Sequence, residues 1–406
     1  MRPVVVTGLG TLSSPGAGEE CLAAALRNGV PITGEVDRSE GLHGPHFART
    51  ACLLPRDVMD PWLSTRQARR MSPASRMAVV AAAMAVKDAG MEEGSFAGDE
   101  AAVALGTAFG STSFTYKLLK QIRDEGALAV SPFLFMETVA NAHAGQVALA
   151  HSATGANFTI SQREASGLLA LCRGADLVRH GRSSRVLAGA VDEVSPIQHA
   201  ALAAYRALAR DAMGVERAQV FGANRSGFLV AEGATIWMLE DEQAARGRGA
   251  PLRARIAAIV RANDCTAEAT DWGVGHQHLG SQLRAGLARQ GIDLDSIDRV
   301  VSGASGALRG DRLEGLTLIS AFGAKALPPI LCPKAVTGEY GGGFLAAALM
   351  ALDGVDWRLA RTLGEVDPNI DLRPHGGESM GPAQRVLVTS LATGGAGCWL
   401  VLERSD

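Results

Sequence analysis

Aromatic side chains are scarce in this chain, only 5% of 406 residues. A core with few large rings must be filled by small and branched residues. The 48 glycines and the many alanines suit helices laid closely on sheets. The six cysteines, at positions 21, 52, 172, 265, 332 and 398, include no CxxC pair. That spacing argues against a zinc site or a disulfide frame and predicts reduced thiols in a cytoplasmic setting. No apolar run reaches the roughly 18 residues that read as a membrane span. The opening "MRPVVVTGLGTLSSPG" has no charged region followed by a long apolar stretch, so no signal peptide is expected. The net charge of −3 gives no bulk reason to bind nucleic acid. Two arginine clusters (66, 69, 70, 76 and 173, 179, 182, 185) read as solvated helix faces or as a docking surface for an acidic partner.

What is present is a soluble-protein composition, 47% hydrophobic and 20% charged, long enough for two domains or two similar halves. Short apolar strands alternate with Ala-rich helices. "PVVVTGLG" (3–10) opens as a strand. "SPASRMAVVAAAMAVKDAG" (72–90) is a helix with Ser72 as its cap, Pro73 in its first turn and Gly90 at its end. "EAAVALGTA" (100–108) and "SSRVLAGAVDEVS" (183–195) are further strands. "SGFLVAEGATIWMLED" (226–241) predicts two strands around a glycine. The second half repeats the pattern: a strand at 252–264, a helix at 278–291, a strand at 298–306, a buried helix at 342–354 and a closing hairpin at 384–403. Such alternation predicts helices covering mostly parallel sheets. The charged segment 240–251 is the best boundary, so the halves are 1–240 and 252–406, packed into one body.

Ligands in such folds bind where strands end and helices begin. "TISQREASGLLAL" (159–171) reads as a buried strand turning sharply into a small-residue helix, with Glu164 at the turn. A Cys at the positive end of that helix would be an activated nucleophile. A carboxylate is tolerated there but is a poor nucleophile, and the bland reading is a helix cap or a partner for Arg163. "VSGASGALRGDRLE" (301–314) is a Gly/Ser loop without the lysine and spacing of a P-loop. "PKAVTGEYGGGF" (333–344) carries Lys334 and Glu339 into a helix. "SLATGGAGCW" (390–399) is a Gly-rich turn whose glycines permit positive φ or close approach. His276 and His278 have no neighbouring ligand pattern, so neither a metal nor a cofactor is expected. By spacing alone, none of these stretches establishes an activity.

Taken together and in order, these stretches resemble the β-ketoacyl synthase family, over nearly the whole chain. Within it they are similar to the chain length factors, the non-catalytic partners of ketosynthases in type II polyketide synthases. "RPVVVTGLG" is similar to the opening strand and "RRMSPASRMAVVAAAMAVKDAG" to the first long helix. "SPFLFMETVANAHAGQVALAHSATGANFTIS" resembles the approach to the active-site elbow. "FGANRSGFLVAEGATIWMLE" resembles the FDxxRDGFxxGEGAG stretch, with Gly222 and Ser226 in place of two Asp. "GDRLEG" and "KAVTGEYGG" match the next two blocks. Carried over position by position, Glu164 stands for the nucleophilic Cys. Gly303 and Glu339 stand for the two His, Lys334 is retained, and Thr393 stands for the gating Phe. The resemblance therefore implies a scaffold without catalytic residues of its own.

It further implies a thiolase-like α/β fold, two βαβαβ halves in an α/β/α/β/α stack, and a heterodimer with a catalytic ketosynthase α-subunit. The partners would be that subunit and an acyl carrier protein bearing the polyketide. Phe158 and Ser161, on the strand before the elbow, would pair across the dimer axis. The growing chain would lie in an interface tunnel walled by Thr112, Thr115 and Leu119, with Phe114 and Phe133 as bulky neighbours, although residues at that spacing are also ordinary helix core. Chain length factors of aromatic systems carry Gln at the elbow. Glu164 departs from that, so polyene-making systems, aryl polyene synthases among them, stay open beside the aromatic ones. Two other readings remain. One is an enzyme with altered chemistry, such as decarboxylation of malonyl-carrier protein using Glu164. The other is a homodimeric acyl-binding protein.

Overall fold

The computed structural model describes residues 1–92, 94–210, 213–323, 327–359, 365–370 and 372–405. Ten strands carry the architecture. The first five are β1 (Val4–Ser13), β2 (Ala101–Gly106), β3 (Asn157–Ile160), β4 (Arg185–Asp192) and β5 (Gly233–Asp241). The next five are β6 (Ala254–Asn263), β7 (Arg299–Ser302), β8 (Ile330–Leu331), β9 (Arg385–Leu391) and β10 (Ala396–Glu403). Both sets pair in the same order. The first runs β3-β2-β4-β5-β1 and the second β8-β7-β9-β10-β6. In each set two pairings are parallel and two antiparallel. The sheets are thus mixed, where the sequence pattern suggested mostly parallel ones. The turn between β9 and β10 is too short for a crossover and forces an antiparallel return. The two sets touch edge to edge through only two residue pairs, Val5 with Arg255 and Val6 with Ala254.

Helices sandwich and separate these sheets: α1 (Pro73–Asp88), α2 (Thr112–Glu125), α3 (Pro132–Met136), α4 (Ala142–His151), α5 (Ser166–Arg179), α6 (His276–Ala288), α7 (Leu308–Phe322) and α8 (Leu345–Asp353). One core places α1 on the outer face of the first sheet. A second places α6 and α7 on the outer face of the other. The largest core holds α5 and α8 between the sheets, against β1 on one side and β9 and β10 on the other. The result is the thiolase-like stack of five layers. Strand β1 is buried along its whole length, which is why its VVV start shows no alternation. Gly10 is required where it stands, because a Cβ there would collide with the backbone of Ala81 on α1. Ser72 caps α1 as expected, its hydroxyl accepting from the Ser75 N–H, with Pro73 at the first turn.

One expected strand is missing. Residues 226–232 make only isolated bridges, of Phe228 with Leu208, Val230 with Glu339 and Ala231 with Cys52. The alternation in that stretch reflects threading between loops, not a sheet position. Among the described residues no helix is long and apolar enough to cross a membrane.

Candidate functional site

The sharp turn into a small-residue helix is built as the sequence reads. The strand before it, β3, is a half-buried edge strand with Asn157 exposed, not the buried strand expected, because it has a neighbour on one side only. After β3 the chain reaches Arg163, which takes a positive φ of 47°, makes a 3-10 turn over Arg163–Ala165 and enters α5. A non-glycine residue in this region is strained and must be held by its surroundings. Ser166 holds it: its Oγ accepts from the Gln162 N–H at 2.8 Å and donates to the Arg163 carbonyl at 2.7 Å. Glu164 is thereby turned toward the second half of the molecule. Its Oε2 accepts from the Thr393 N–H at 3.1 Å and from the Thr393 hydroxyl at 3.2 Å. Its backbone carbonyl accepts from Ser390 Oγ at 3.1 Å. The alternatives of a helix cap or an Arg163 pair are replaced by this long-range contact.

Behind the elbow lies a buried ion pair. Lys334 is fully buried, and its Nζ stands 2.7 and 2.9 Å from the two carboxylate oxygens of Glu339, which is 9% exposed. The ammonium also sits 4.8 Å from the centre of the Phe344 ring. Burial pushes the Glu339 carboxyl up to about 7, with Glu164 adding to the rise and Lys334 and Ser305 opposing it.

Two carboxyls on α7 organise the 302–306 loop. Glu314 accepts from Ser302 Oγ and from the Gly303 N–H. Burial pushes it up to about 7 against the pull of the Ser302 bond. Asp311 accepts from the N–H groups of Ser305, Gly306 and Phe221, and burial raises it to about 6. Gly303 has no room for a side chain as the backbone stands: a Cβ would lie 2.7 Å from the Thr389 carbonyl oxygen.

A cavity of about 520 Å³ opens at the junction of the halves. Glu164, Glu339, Thr393 and Asp192 line it, and exposed Tyr205, Arg206 and Leu308 stand at its rim. Lys334 and Gly303 do not line it. Asp192 was not among the expected site residues. It accepts from Thr107 Oγ1, the Ala108 N–H and the Gly341 N–H, and burial raises its carboxyl against those bonds. Its signal was present in "AGAVDEVS", where two acids end an otherwise apolar buried strand.

The residues expected at a tunnel or interface lie elsewhere, and none lines this cavity. Thr112 begins α2, with its hydroxyl 2.7 Å from Ser195 Oγ, and the next N–H, of Ser113, donates to the buried Glu193. Thr115 donates to the Ser111 carbonyl. Phe114 is half-buried beneath Lys117. Leu119 and Phe133 are 59% and 58% exposed, and the Arg70 guanidinium lies 5.9 Å from the Phe133 ring. Phe158 is covered by Arg173 at 4.4 Å, and Ser161 is exposed. Beside them Ile122, Leu128, Phe135, Met136 and Val139 are exposed as well. Strand β3 forms the outer edge of the first sheet, pairing with β2. Of the arginines, 66, 69 and 70 are exposed, whereas Arg179 and Arg185 are pinned to backbone carbonyls.

Comparison with known proteins agrees with this architecture. The family model for the β-ketoacyl synthase N-terminal domain matches residues 1–245. The chain is 28% identical to the tetracenomycin polyketide synthase ketoacyl synthase alpha subunit of Streptomyces glaucescens, covering 91% of this chain and 89% of that one. It is 25% identical to 3-oxoacyl-[acyl-carrier-protein] synthase 2 of Vibrio cholerae serotype O1, over 99% of both. Among solved structures, the ishigamide ketosynthase/chain length factor superposes over the full length of both chains with a TM-score of 0.88 at 27% identity. The doubled strand order, the strained elbow and these matches lead to one conclusion: the chain belongs to the β-ketoacyl synthase family.

Proposed function

We propose that this protein is a non-catalytic chain length factor. It would pair with a catalytic ketosynthase of a type II polyketide synthase and shape the tunnel in which malonyl units are condensed on acyl carrier protein. The observation that carries the reading is the elbow itself. A carboxylate, already hydrogen-bonded to Thr393, stands where the chemistry needs a thiolate. Gly303 and Glu339 supply no histidine to assist. On this reading the halves 1–240 and 252–406 form one body in the cytoplasm. The edge strand β3, with Phe158 inside it and Ser161 just past its end, meets its counterpart in the ketosynthase. The exposed apolar residues of α2 and α3, Leu119 and Phe133 among them, become interface, a burial worth about 25 cal/mol per Å². Thr112, Thr115 and Phe114 then bound the tunnel. Exposed Arg66, Arg69 and Arg70 suit an acidic carrier protein.

The test is co-expression with the ketosynthase encoded beside it, followed by size-exclusion chromatography, native mass spectrometry and a malonyl elongation assay. A 1:1 complex that elongates only when both chains are present supports the proposal. A stable homodimer that ignores the ketosynthase sinks it and favours an acyl-binding protein.

A second reading is favoured by one observation. Glu339, raised to about 7, and Glu164 line the same cavity, an arrangement suited to proton transfer near neutral pH. Malonyl-carrier protein bound there could lose its carboxyl group as CO₂, with the enolate taking a proton. Decarboxylation by the isolated chain, lost in Glu164→Ala, would establish that reading instead.

A further inference from the structure

The turn between β9 and β10, residues 392–395, is the point where the second half reaches the elbow of the first. Gly394 and Gly395 both have positive φ, 82° and 92°, so the turn is built from the two residues with the fewest conformational restraints. On its far side it is tied to the 264–271 loop. Gly394 N–H donates to the Asp271 carbonyl at 3.1 Å, and Gly395 O accepts from the Asp264 N–H at 2.7 Å. On its near side the contacts come from Glu164. Thr393 is 9% exposed, and both its N–H and its hydroxyl find their acceptor in Glu164 Oε2. Without that oxygen a buried N–H and a buried hydroxyl are left unpaired, which favours the turn moving until water reaches them.

We infer that Glu164 is a latch: by accepting from both donors of Thr393 it holds the 392–395 turn against the elbow and fixes the wall of the cavity between the two halves. Glu164 and Thr393 then act as one unit, an acceptor and the side chain that donates to it. Ser390, donating to the Glu164 carbonyl, ties the end of β9 to the same residue. The latch deepens the chain length factor reading, because it assigns the elbow carboxylate a positioning role where no chemistry is performed.

The experiment is hydrogen exchange of residues 392–396, read by mass spectrometry, on the intact chain and on its complex with the ketosynthase. Three variants are compared: Glu164→Ala, Glu164→Gln and Thr393→Val. Exchange in β1 and β10 reports whether each variant is folded. Glu164→Ala is expected to speed exchange in the turn at least tenfold, and Thr393→Val to speed it less, since the backbone donor remains. Glu164→Gln keeps an acceptor oxygen and restores the wild-type rate. Wild-type exchange in Glu164→Ala would overturn the latch, because the 264–271 contacts would then suffice. Exchange in Glu164→Gln as fast as in Glu164→Ala would also overturn it, since an acceptor oxygen at this position would then not be what holds the turn. Failure of the wild-type chain to pair with a ketosynthase would sink the proposed function while leaving the exchange result standing.

Discussion

Thr393 directs two donors at a single carboxylate oxygen of Glu164, across 229 positions of sequence and from one half of the molecule to the other. The elbow is therefore occupied by an internal contact. Restoring a nucleophile there must disturb that contact before it can do chemistry.

Glu164→Cys is accordingly expected to leave the isolated chain without condensing activity. The thiol would lack both histidines, and Gly303 cannot become His without displacing the Thr389 carbonyl. A positioned general base contributes about 10²–10⁴ in rate. Malonyl elongation by this variant alone should fall at least about a hundredfold below that of an active ketosynthase. Comparable rates would show that the remaining groups suffice.

The Lys334–Glu339 pair gives a stability test. Lys334→Met leaves Glu339 and Glu314 buried without their nearby cation. Removing one partner of a buried pair costs about 3–5 kcal/mol. Because either carboxyl can take up a proton, the cost should shrink as pH falls below 7. Urea unfolding at pH 8 and pH 5.5 measures the difference, and an equal cost at both pH values would contradict the buried-pair account.

Glu314 and Glu339 both sit near 7 in the folded chain, raised from an ordinary value of 4.5. A carboxyl raised in the folded state holds its proton there after the unfolded chain has released it. Their contribution is complete below about 4.5 and is lost as pH rises through 7. Glu314→Gln should therefore flatten the fall in Tm between pH 5 and pH 8 relative to wild type. Parallel Tm profiles would count against burial as the cause.

The apolar band on α2 and α3 predicts the effect of charge. Leu119→Glu with Phe133→Glu should weaken pairing with the ketosynthase at least tenfold, about 1.4 kcal/mol, while leaving the monomer folded, since both side chains are more than half exposed. Unchanged affinity by titration of labelled partner would move the interface elsewhere.

Thr112→Phe is expected to shorten the products of the reconstituted complex. The substitution also removes the hydroxyl contact to Ser195, worth about 1 kcal/mol. Mass spectrometry of the products distinguishes a tunnel effect from simple destabilisation, which would lower yield without changing length.

Much of this was legible in the chain. Local physics wrote the elements: Ser72 and Pro73 start α1, the unbroken VVV of β1 announces burial on both faces, and the short 392–395 turn imposes an antiparallel closing pair. The turn of the elbow was legible too, because a strand must turn sharply to enter a helix of small residues, but the exposure of that strand at the sheet edge was not. Tertiary structure decided the rest. Alternation in 226–232 imitated a strand, but pairing needs a partner edge, and loops took that place. No spacing rule couples Glu164 to Thr393 or separates Lys334 from the cavity wall, because each depends on how the two halves close on one another. Burial, which only the folded chain provides, raises Glu339 and Glu314 to about 7, and the closing of the halves makes the old elbow a point of contact.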